Sequence, residues 1–274
     1  SISGLTGTGF SIFKDIKYLD PTLILWRSSS QWIGGLFFLF FLMIIFSNKS
    51  FNYKMTNLTY SGDNNFNSES NIKDNLLRIF IIYSSLSIVI LSLLNLSGVR
   101  LFNSLNLSMT LIAGGGFLPT ESLDKIISTT FQKIILIFSL IVSLLNFYIL
   151  FNLFNKNTLI KEHKEDLYLI MLSIVFCALI YFNNFDGLDI IISVISSLAN
   201  SGLTLIEPNN NLGLYFLLIT IVGGSLISNS SGIKLTRFYI LLKITSLEII
   251  RLISPNSIIN KTIFGSEKKI SDDH

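Results

Sequence analysis

The stretch AGGGF at residues 113–117 ends an apolar segment that is too short to cross a bilayer. Two similar stretches are TGTGF at 6–10, near the start of the chain, and ANSGL at 199–203, again after a short apolar segment. Each is followed by a polar or proline-containing bend and then by a long hydrophobic run. Irregular backbone is tolerated at membrane depth only where it is buried in protein or lines a water-filled cavity. The pattern therefore predicts three re-entrant loops that present backbone carbonyls to an ion.

The composition indicates a membrane protein. Of 274 residues, 50% are hydrophobic and only 14% are charged, whereas about a quarter of a soluble domain is charged. The net charge of +3 is small and scattered, so we expect no nucleic-acid partner. Cys177 is the one cysteine, and His163 and His274 are far apart in polar segments. We therefore expect no disulfide within the chain, no protein-ligated metal site and no cofactor.

Long apolar runs alternate with short ones along the chain. A membrane-spanning helix needs about 20 apolar residues. The predicted spans are Leu23–Phe46, Leu76–Leu96, Phe131–Phe154, Leu167–Phe182, which is marginal in length, and Leu212–Leu252, which is interrupted in its middle.

Two short runs, Phe102–Ile112 and Asp189–Ala199, are eleven residues each, or about 16 Å as helix. Because a glycine-bearing stretch follows each, we predict re-entrant pore helices whose carboxyl ends offer partial negative charge to a cation. Interfacial helices lying flat on the membrane are the alternative. The fold class predicted is an all-α polytopic membrane protein of repeated helix–pore-loop–helix units.

The basic residues favour one orientation. If the three glycine stretches share one side, segments 47–78 and 155–166 and the tail after 250 lie on the other. That other side carries eleven Lys and Arg against six on the glycine side. The positive-inside rule then places the glycine stretches outside and the loops and tail in the cytoplasm.

The glycine stretches are candidate ion-filter strands, since glycine permits the backbone angles that a ring of carbonyls requires. An ordinary turn is the alternative for any one of them alone. The candidate ion-binding residues are Thr8, Gly9, Gly114, Gly115, Ser201 and Gly202.

The last apolar run is broken by Gly223-Gly224 and SLISNSSG at 225–232, about halfway across the membrane. A patch of small residues for helix packing is one interpretation. A flexible intramembrane loop that acts as a gate fits the run of Gly, Ser and Asn better, and Lys234 would be costly there without water, a carbonyl or an acidic partner. The candidate gate residues are Gly224, Ser225, Ser228, Asn229, Ser230, Ser231, Gly232 and Lys234.

Several motifs together resemble the Trk/Ktr/HKT potassium-transporter superfamily, most of all its bacterial Trk-type membrane subunit. The resemblance covers essentially the whole chain in order. The motifs are SGLTGTGF (3–10), LWRSSSQWIGG (25–35), AGGGF (113–117), NSGL (200–203), GGSLISNSSGIKLTR (223–237) and RLISPN (251–256).

The resemblance implies four helix–pore-loop–helix repeats around one pore, with K⁺ held by backbone carbonyls. By position, the filter glycines would be Gly9, Gly115 and Gly202, and the gate loop Gly224–Gly232 above Lys234. It also implies a bacterial inner-membrane homodimer with a cytosolic nucleotide-binding regulatory subunit of the TrkA or KtrA type.

Two departures accompany the resemblance. The first repeat lacks its leading helix and the fourth repeat is absent, so we expect a fragment or a truncated or split product. In addition, Gly7, Gly114 and Asn200 stand where the superfamily more often has Thr or Ser, which leaves the preference for K⁺ over Na⁺ open.

The predicted organisation is 1–47 for the end of repeat 1, 48–75 for a cytoplasmic loop, 76–155 for repeat 2, 156–166 for a second loop, 167–253 for repeat 3 with its gate loop at 223–232, and 254–274 for a cytoplasmic tail.

The predicted function is potassium transport. A Na⁺ or non-selective cation transporter of the same superfamily and a non-conducting remnant are the alternatives. An enzyme is the least favoured, because the long runs contain no pair of His, Asp or Glu residues that could do acid–base chemistry.

Overall fold

The computed structural model describes residues 2–13, 15–47, 72–147, 164–181, 186–206 and 210–254. Most of the predicted loop 48–75, part of 156–166 and nearly all of the tail 254–274 lie outside these residues. Within the described ranges the chain is helical, and its β pairing is limited to an isolated parallel bridge between Val222 and Ile233. The helices are α1 (Ile2–Leu5), α2 (Pro21–Ser47), α3 (Ile72–Leu96), α4 (Leu101–Ile112), α5 (Thr130–Leu144), α6 (Lys164–Tyr181), α7 (Gly187–Ala199), α8 (Asn210–Ile221) and α9 (Leu235–Ile253). The all-helical class agrees with the prediction.

The predicted spans match helices to different degrees. α2, α3 and α6 cover three of them over most of their length, and Leu76–Leu96 in α3 is the one described segment both long and apolar enough to cross a membrane unaided, with a mean hydropathy of 2.2. α5 ends at Leu144, short of the predicted Phe131–Phe154. Its helix stops because Leu145 has an extended backbone (ψ 163°) and the Phe147 N–H donates to the carbonyl of Ile227 instead, at 2.8 Å.

The two short helices lie inside the bundle. α4 packs against α2, α3 and α5, and α7 packs against α5, α6 and α8. Leu107 and Leu111 of α4 and Ile192 and Leu198 of α7 are fully buried. Burial on several sides disfavours helices that lie flat on a membrane surface. The carboxyl ends of α4 and α7 therefore deliver the glycine stretches to the interior of the bundle.

The outward faces of the longer helices are apolar. Phe37 and Phe41 of α2 are 64% and 61% exposed, and Ile81 of α3 and Ile174 of α6 are exposed to a similar degree. Exposed apolar area of this extent is unusual for a soluble monomer. Hydrocarbon surroundings explain it directly.

Candidate functional site: the glycine loops and the interhelical loop

The loops after α4 and α7 begin with the same backbone turn. Gly114 and Asn200 both adopt left-handed conformations, with φ of 64° and 55°. The next N–H in each loop reaches back to the last helical turn, from Gly115 to the Thr110 carbonyl at 2.9 Å and from Ser201 to the Ser196 carbonyl at 3.0 Å. This is the Schellman type of helix ending, in which glycine or asparagine takes the strained position.

The backbone also fixes which glycines correspond. Gly7 takes the left-handed position after α1, with φ of 69°, as Gly114 does after α4. Two residues later come Gly9, Gly116 and Gly202, all with positive φ, of 68°, 152° and 70°. Gly115 is the glycine predicted to correspond to Gly9 and Gly202, whereas by backbone conformation Gly116, one residue later, matches them. Aligning TGTGF, AGGGF and ANSGL letter by letter would have found Gly116.

Neighbouring helices hold the two inner loops through side-chain acceptors. Gln31 of α2 accepts the N–H of Phe117 through its Oε1, at 3.3 Å. Ser196 of α7 accepts the N–H of Leu203 at 2.8 Å and bonds the hydroxyl of Ser201 at 2.9 Å. These N–H groups are therefore satisfied inside the protein.

The loop after α4 is enclosed between α2 and the loop after α7. A Cβ at Gly115 would lie 2.4 Å from the Gln31 side chain, and one at Gly116 would lie 1.7 Å from the Ser201 carbonyl oxygen. In contrast, a Cβ at Gly7, Gly9 or Gly202 would meet no described atom within 4 Å. The central loop is thus tightly packed, while the first and third loops each keep an open side.

Arg27 ties the first loop region to the central loop. Its guanidinium lies 4.4 Å from the ring centroid of Phe117 and donates to the Ser11 hydroxyl at 3.3 Å. Phe13 lies at a longer 5.8 Å. Among the first-loop residues, Thr8 is exposed and its hydroxyl donates to the Ser3 carbonyl at 3.2 Å. Arg27 and Gln31 both come from the WRSSSQW motif, which carried no candidate site residue.

Residues 222–234 connect α8 and α9 and contain no helix. We call this segment loop 222–234. Its ends meet, since the Gly223 N–H donates to the Ile233 carbonyl at 2.8 Å. Glycine is required at 223 and 224 because a Cβ would lie 2.1 Å from the Ser231 carbonyl oxygen and 2.6 Å from the Leu144 carbonyl oxygen, respectively.

Loop 222–234 touches the end of α4. The Asn229 side-chain amide donates to the Ile112 carbonyl at 2.9 Å, and a Cβ at Gly114 would lie 3.1 Å from the Asn229 carbonyl oxygen. At its other side, a Cβ added at Gly232 would lie 2.7 Å from the Asn200 side-chain nitrogen. The loop therefore contacts the first residue of both inner glycine loops.

Lys234 organises the loop from within. Its ammonium is buried and donates to the carbonyls of Ser228, at 3.0 Å, and Ser230. The Ser228 and Ser230 hydroxyls lie 2.7 Å apart, and Ser230 accepts the Gly224 N–H at 3.0 Å. A buried lysine needs such partners. Carbonyl oxygens, one of the three kinds of partner predicted for Lys234, therefore bind its ammonium.

Two acidic residues of the predicted loop 156–166 belong to this region. Glu165 and Asp166 lie in the first turn of α6. Glu165 accepts backbone N–H groups from Leu226 in the loop and Thr236 in α9, and Asp166 accepts that of Asn146. Acidic residues are common at helix starts, so no sequence pattern set these two apart.

Comparison with known proteins gives a consistent class. The chain is 25% identical over 264 residues, 94% of its length, to an uncharacterised cation transporter of Methanocaldococcus jannaschii. It is also 25% identical over 285 aligned positions, again 94% of its length, to the Trk system potassium uptake proteins TrkH of Salmonella typhimurium and Escherichia coli. The chain spans about half the length of these relatives, 54% of the first and 57% of the others. No protein-family profile matches it.

The fold is also similar to a solved one. The crystal structure of the potassium transporter TrkH from Vibrio parahaemolyticus superposes with a TM-score of 0.81 and 19% identity, over 98% of this chain and 58% of the other. This similarity shows that the chain has a helical fold of the kind found in a potassium transporter. With the sequence matches, it supports the Trk/TrkH-like transporter family and confirms the resemblance drawn from the motifs.

Proposed function

We propose that the chain forms part of a potassium-conducting pathway, with the three glycine loops as filter strands and loop 222–234 as an intramembrane gate. The observation that carries the proposal is the left-handed residue near the start of each loop, Gly7, Gly114 and Asn200, with φ of 69°, 64° and 55°. Three glycines at the same place, Gly9, Gly116 and Gly202, have positive φ. Repeated glycine-bearing strands are suited to replace an ion's hydration shell with carbonyl oxygens.

The packing of the loops supports a shared pathway. The central loop is in close contact with the third loop at Gly116 and Ser201, and with α2 at Gly115 and Gln31. Gly9 and Gly202 have open space around them. In the proposed pore, a fourth strand from other residues of the protein or from another chain would close that open side.

The position of loop 222–234 supports a gate. Asn229 contacts the end of α4, where the central loop begins. Its polar part, residues 228–234, is held by hydrogen bonds from serine and lysine side chains, while Leu226 and Ile227 pack in the apolar core. Such a segment can be displaced without unfolding the helices around it. The alternative, a patch of small residues for helix packing, does not explain why Lys234 is buried in this loop.

The remaining features are proposed on the resemblance alone. The protein would be a multi-pass inner-membrane protein with the glycine loops outside, would act as a homodimer, and would bind a cytosolic nucleotide-binding regulatory subunit. Selectivity for K⁺ over Na⁺ is part of the same proposal. Because one relative is an uncharacterised cation transporter, a broader cation specificity is the second candidate function.

The test is uptake of radiolabelled Rb⁺ by the full gene product in a strain that lacks potassium uptake. Gly202→Ala should abolish uptake, because a Cβ at φ 70° shifts the filter carbonyls. Gly98→Ala is the matched control, since Gly98 has φ of 92°, has open space and lies outside the loops. Both changes cost about 1–2 kcal/mol of strain. Equal loss of uptake in the two variants would contradict the filter assignment.

The gate is tested separately by deleting residues 227–231. Flux of Rb⁺ should rise, because Asn229 no longer contacts the end of α4. Competition by Na⁺ in the same assay separates the potassium proposal from the broader cation alternative. Unchanged flux in the deletion would favour a helix-packing role for the loop.

A further inference from the structure

The first turn of α6 contacts two separate parts of the broken last run. The same carboxylate oxygen of Glu165, Oε1, accepts the N–H of Leu226 at 3.1 Å and that of Thr236 at 3.2 Å. Leu226 lies in loop 222–234 and Thr236 in the first turn of α9. One oxygen therefore joins the loop to the helix that follows it.

This contact replaces a missing helix cap. N–H groups in the first turn of a helix have no partner within it, and that end carries partial positive charge. Lys234 is the N-cap residue of α9 and makes no side-chain capping bond, because an ammonium has donors but no acceptor for the N–H groups of the first turn. Glu165 supplies the acceptor from another helix. Its negative charge also suits both the helix end and the nearby lysine.

Asp166 and the backbone extend the junction to α5. Asp166 accepts the N–H of Asn146 at 2.9 Å, just beyond the end of α5. The Ser225 N–H donates to the Leu144 carbonyl at 3.2 Å. Three segments, 144–147, 165–166 and 225–227, thus share one hydrogen-bonded junction. The loop is fixed at this junction and contacts the two inner glycine loops through Asn229 and Gly232.

We propose that Glu165 is a positioning residue of the gate, which couples movement of α9 to movement of loop 222–234. Because one oxygen holds both segments, α9 cannot rotate or slide without breaking the bond to Thr236 or pulling Leu226 with it. The inference rests on the proposed gating role of the loop. Glu165 itself touches no ion and acts through the loop.

The first experiment measures Rb⁺ flux per folded protein in liposomes that contain the full gene product. Glu165→Ala should raise the flux about tenfold, because α6 no longer holds the loop and the first turn of α9 together, and among the described residues only the backbone hydrogen bond from the Leu235 N–H to the Gly224 carbonyl remains between them. Glu165→Gln keeps an acceptor oxygen of the same reach and should restore near wild-type flux. Glu248→Ala is the control, since that acid lies exposed on α9 and pairs with Arg251. Unchanged flux in Glu165→Ala would overturn the positioning role.

The second experiment is hydrogen exchange, which needs no transport. In Glu165→Ala the amides of Leu226 and Thr236 should exchange about tenfold faster, while those of α4 stay protected. Protection that persists at both amides would show that the carboxylate does not hold the two segments. Failure of the wild-type protein to take up Rb⁺ would overturn the transport proposal and the gating role with it, whereas the exchange rates would still decide whether the link exists.

Discussion

Gly116 and Ser201 approach so closely that a Cβ on Gly116 would lie 1.7 Å from the Ser201 carbonyl oxygen. The partner is a backbone atom, which cannot move aside as a flexible side chain could. The contact joins the loop after α4 to the loop after α7, and it explains why glycine is needed at 116, which is not among the candidate residues predicted from the sequence.

We therefore expect Gly116→Ala to destabilise the protein more than Gly98→Ala. Both positions have positive φ, but only Gly116 adds a steric clash, and overpacking of this kind costs about 1–3 kcal/mol. Thermal unfolding of the purified variants in detergent measures the difference. Similar melting temperatures for the two variants would show that the loops after α4 and α7 can move apart without loss of folding stability.

The sequence predicted the helical class and the two short helices to within two residues of their ends. It did so because apolar length and the following Gly or Asn are local signals. It could not give the contact of Gly116 with Ser201, since these residues are far apart in the chain and meet only through packing. The same holds for Glu165, whose partners at Leu226 and Thr236 follow from how α6 lies against the loop.

Replacing Lys234 by methionine tests the organisation of the loop. Methionine keeps an apolar stem but cannot donate to the carbonyls of Ser228 and Ser230. A buried acceptor left without a partner costs about 1–3 kcal/mol, so Lys234→Met should lower the melting temperature and raise Rb⁺ flux. Lys243→Met, which removes a lysine from α9 outside the loop, should change the flux little. Wild-type flux with wild-type stability in Lys234→Met would contradict the structure of the loop.

The stacking of Arg27 on Phe117 is expected to contribute to the placement of the central loop. A guanidinium 4.4 Å from the ring centroid is worth about 1 kcal/mol when partly desolvated. A double-mutant cycle with Arg27→Gln and Phe117→Leu should give a coupling free energy of that size. The same cycle with Phe13→Leu, where the distance is 5.8 Å, should give a smaller one. Equal coupling free energies in the two cycles would contradict a specific contribution from the contact between Arg27 and Phe117.

Lys133 and Asp189 form an ion pair that connects α5 to the first turn of α7. The nitrogen and oxygen lie 2.5 Å apart, and each side chain is only 18% exposed. Because both groups are largely buried, removing one partner leaves a poorly solvated charge, which is more damaging than losing an exposed pair. We expect Asp189→Asn and Lys133→Gln each to destabilise the protein by about 2 kcal/mol, and the double variant to cost less than the sum.

The exposed pair of Glu121 and Lys125, four residues apart, provides the comparison. Such surface pairs contribute about 0–1 kcal/mol, so Glu121→Gln should leave the melting temperature nearly unchanged. Since α7 ends in the third glycine loop, loss of the Lys133–Asp189 pair should also reduce Rb⁺ uptake by shifting Ser201 and Gly202. Additive effects of the two single changes, with uptake intact, would show that α7 is held by its apolar packing alone.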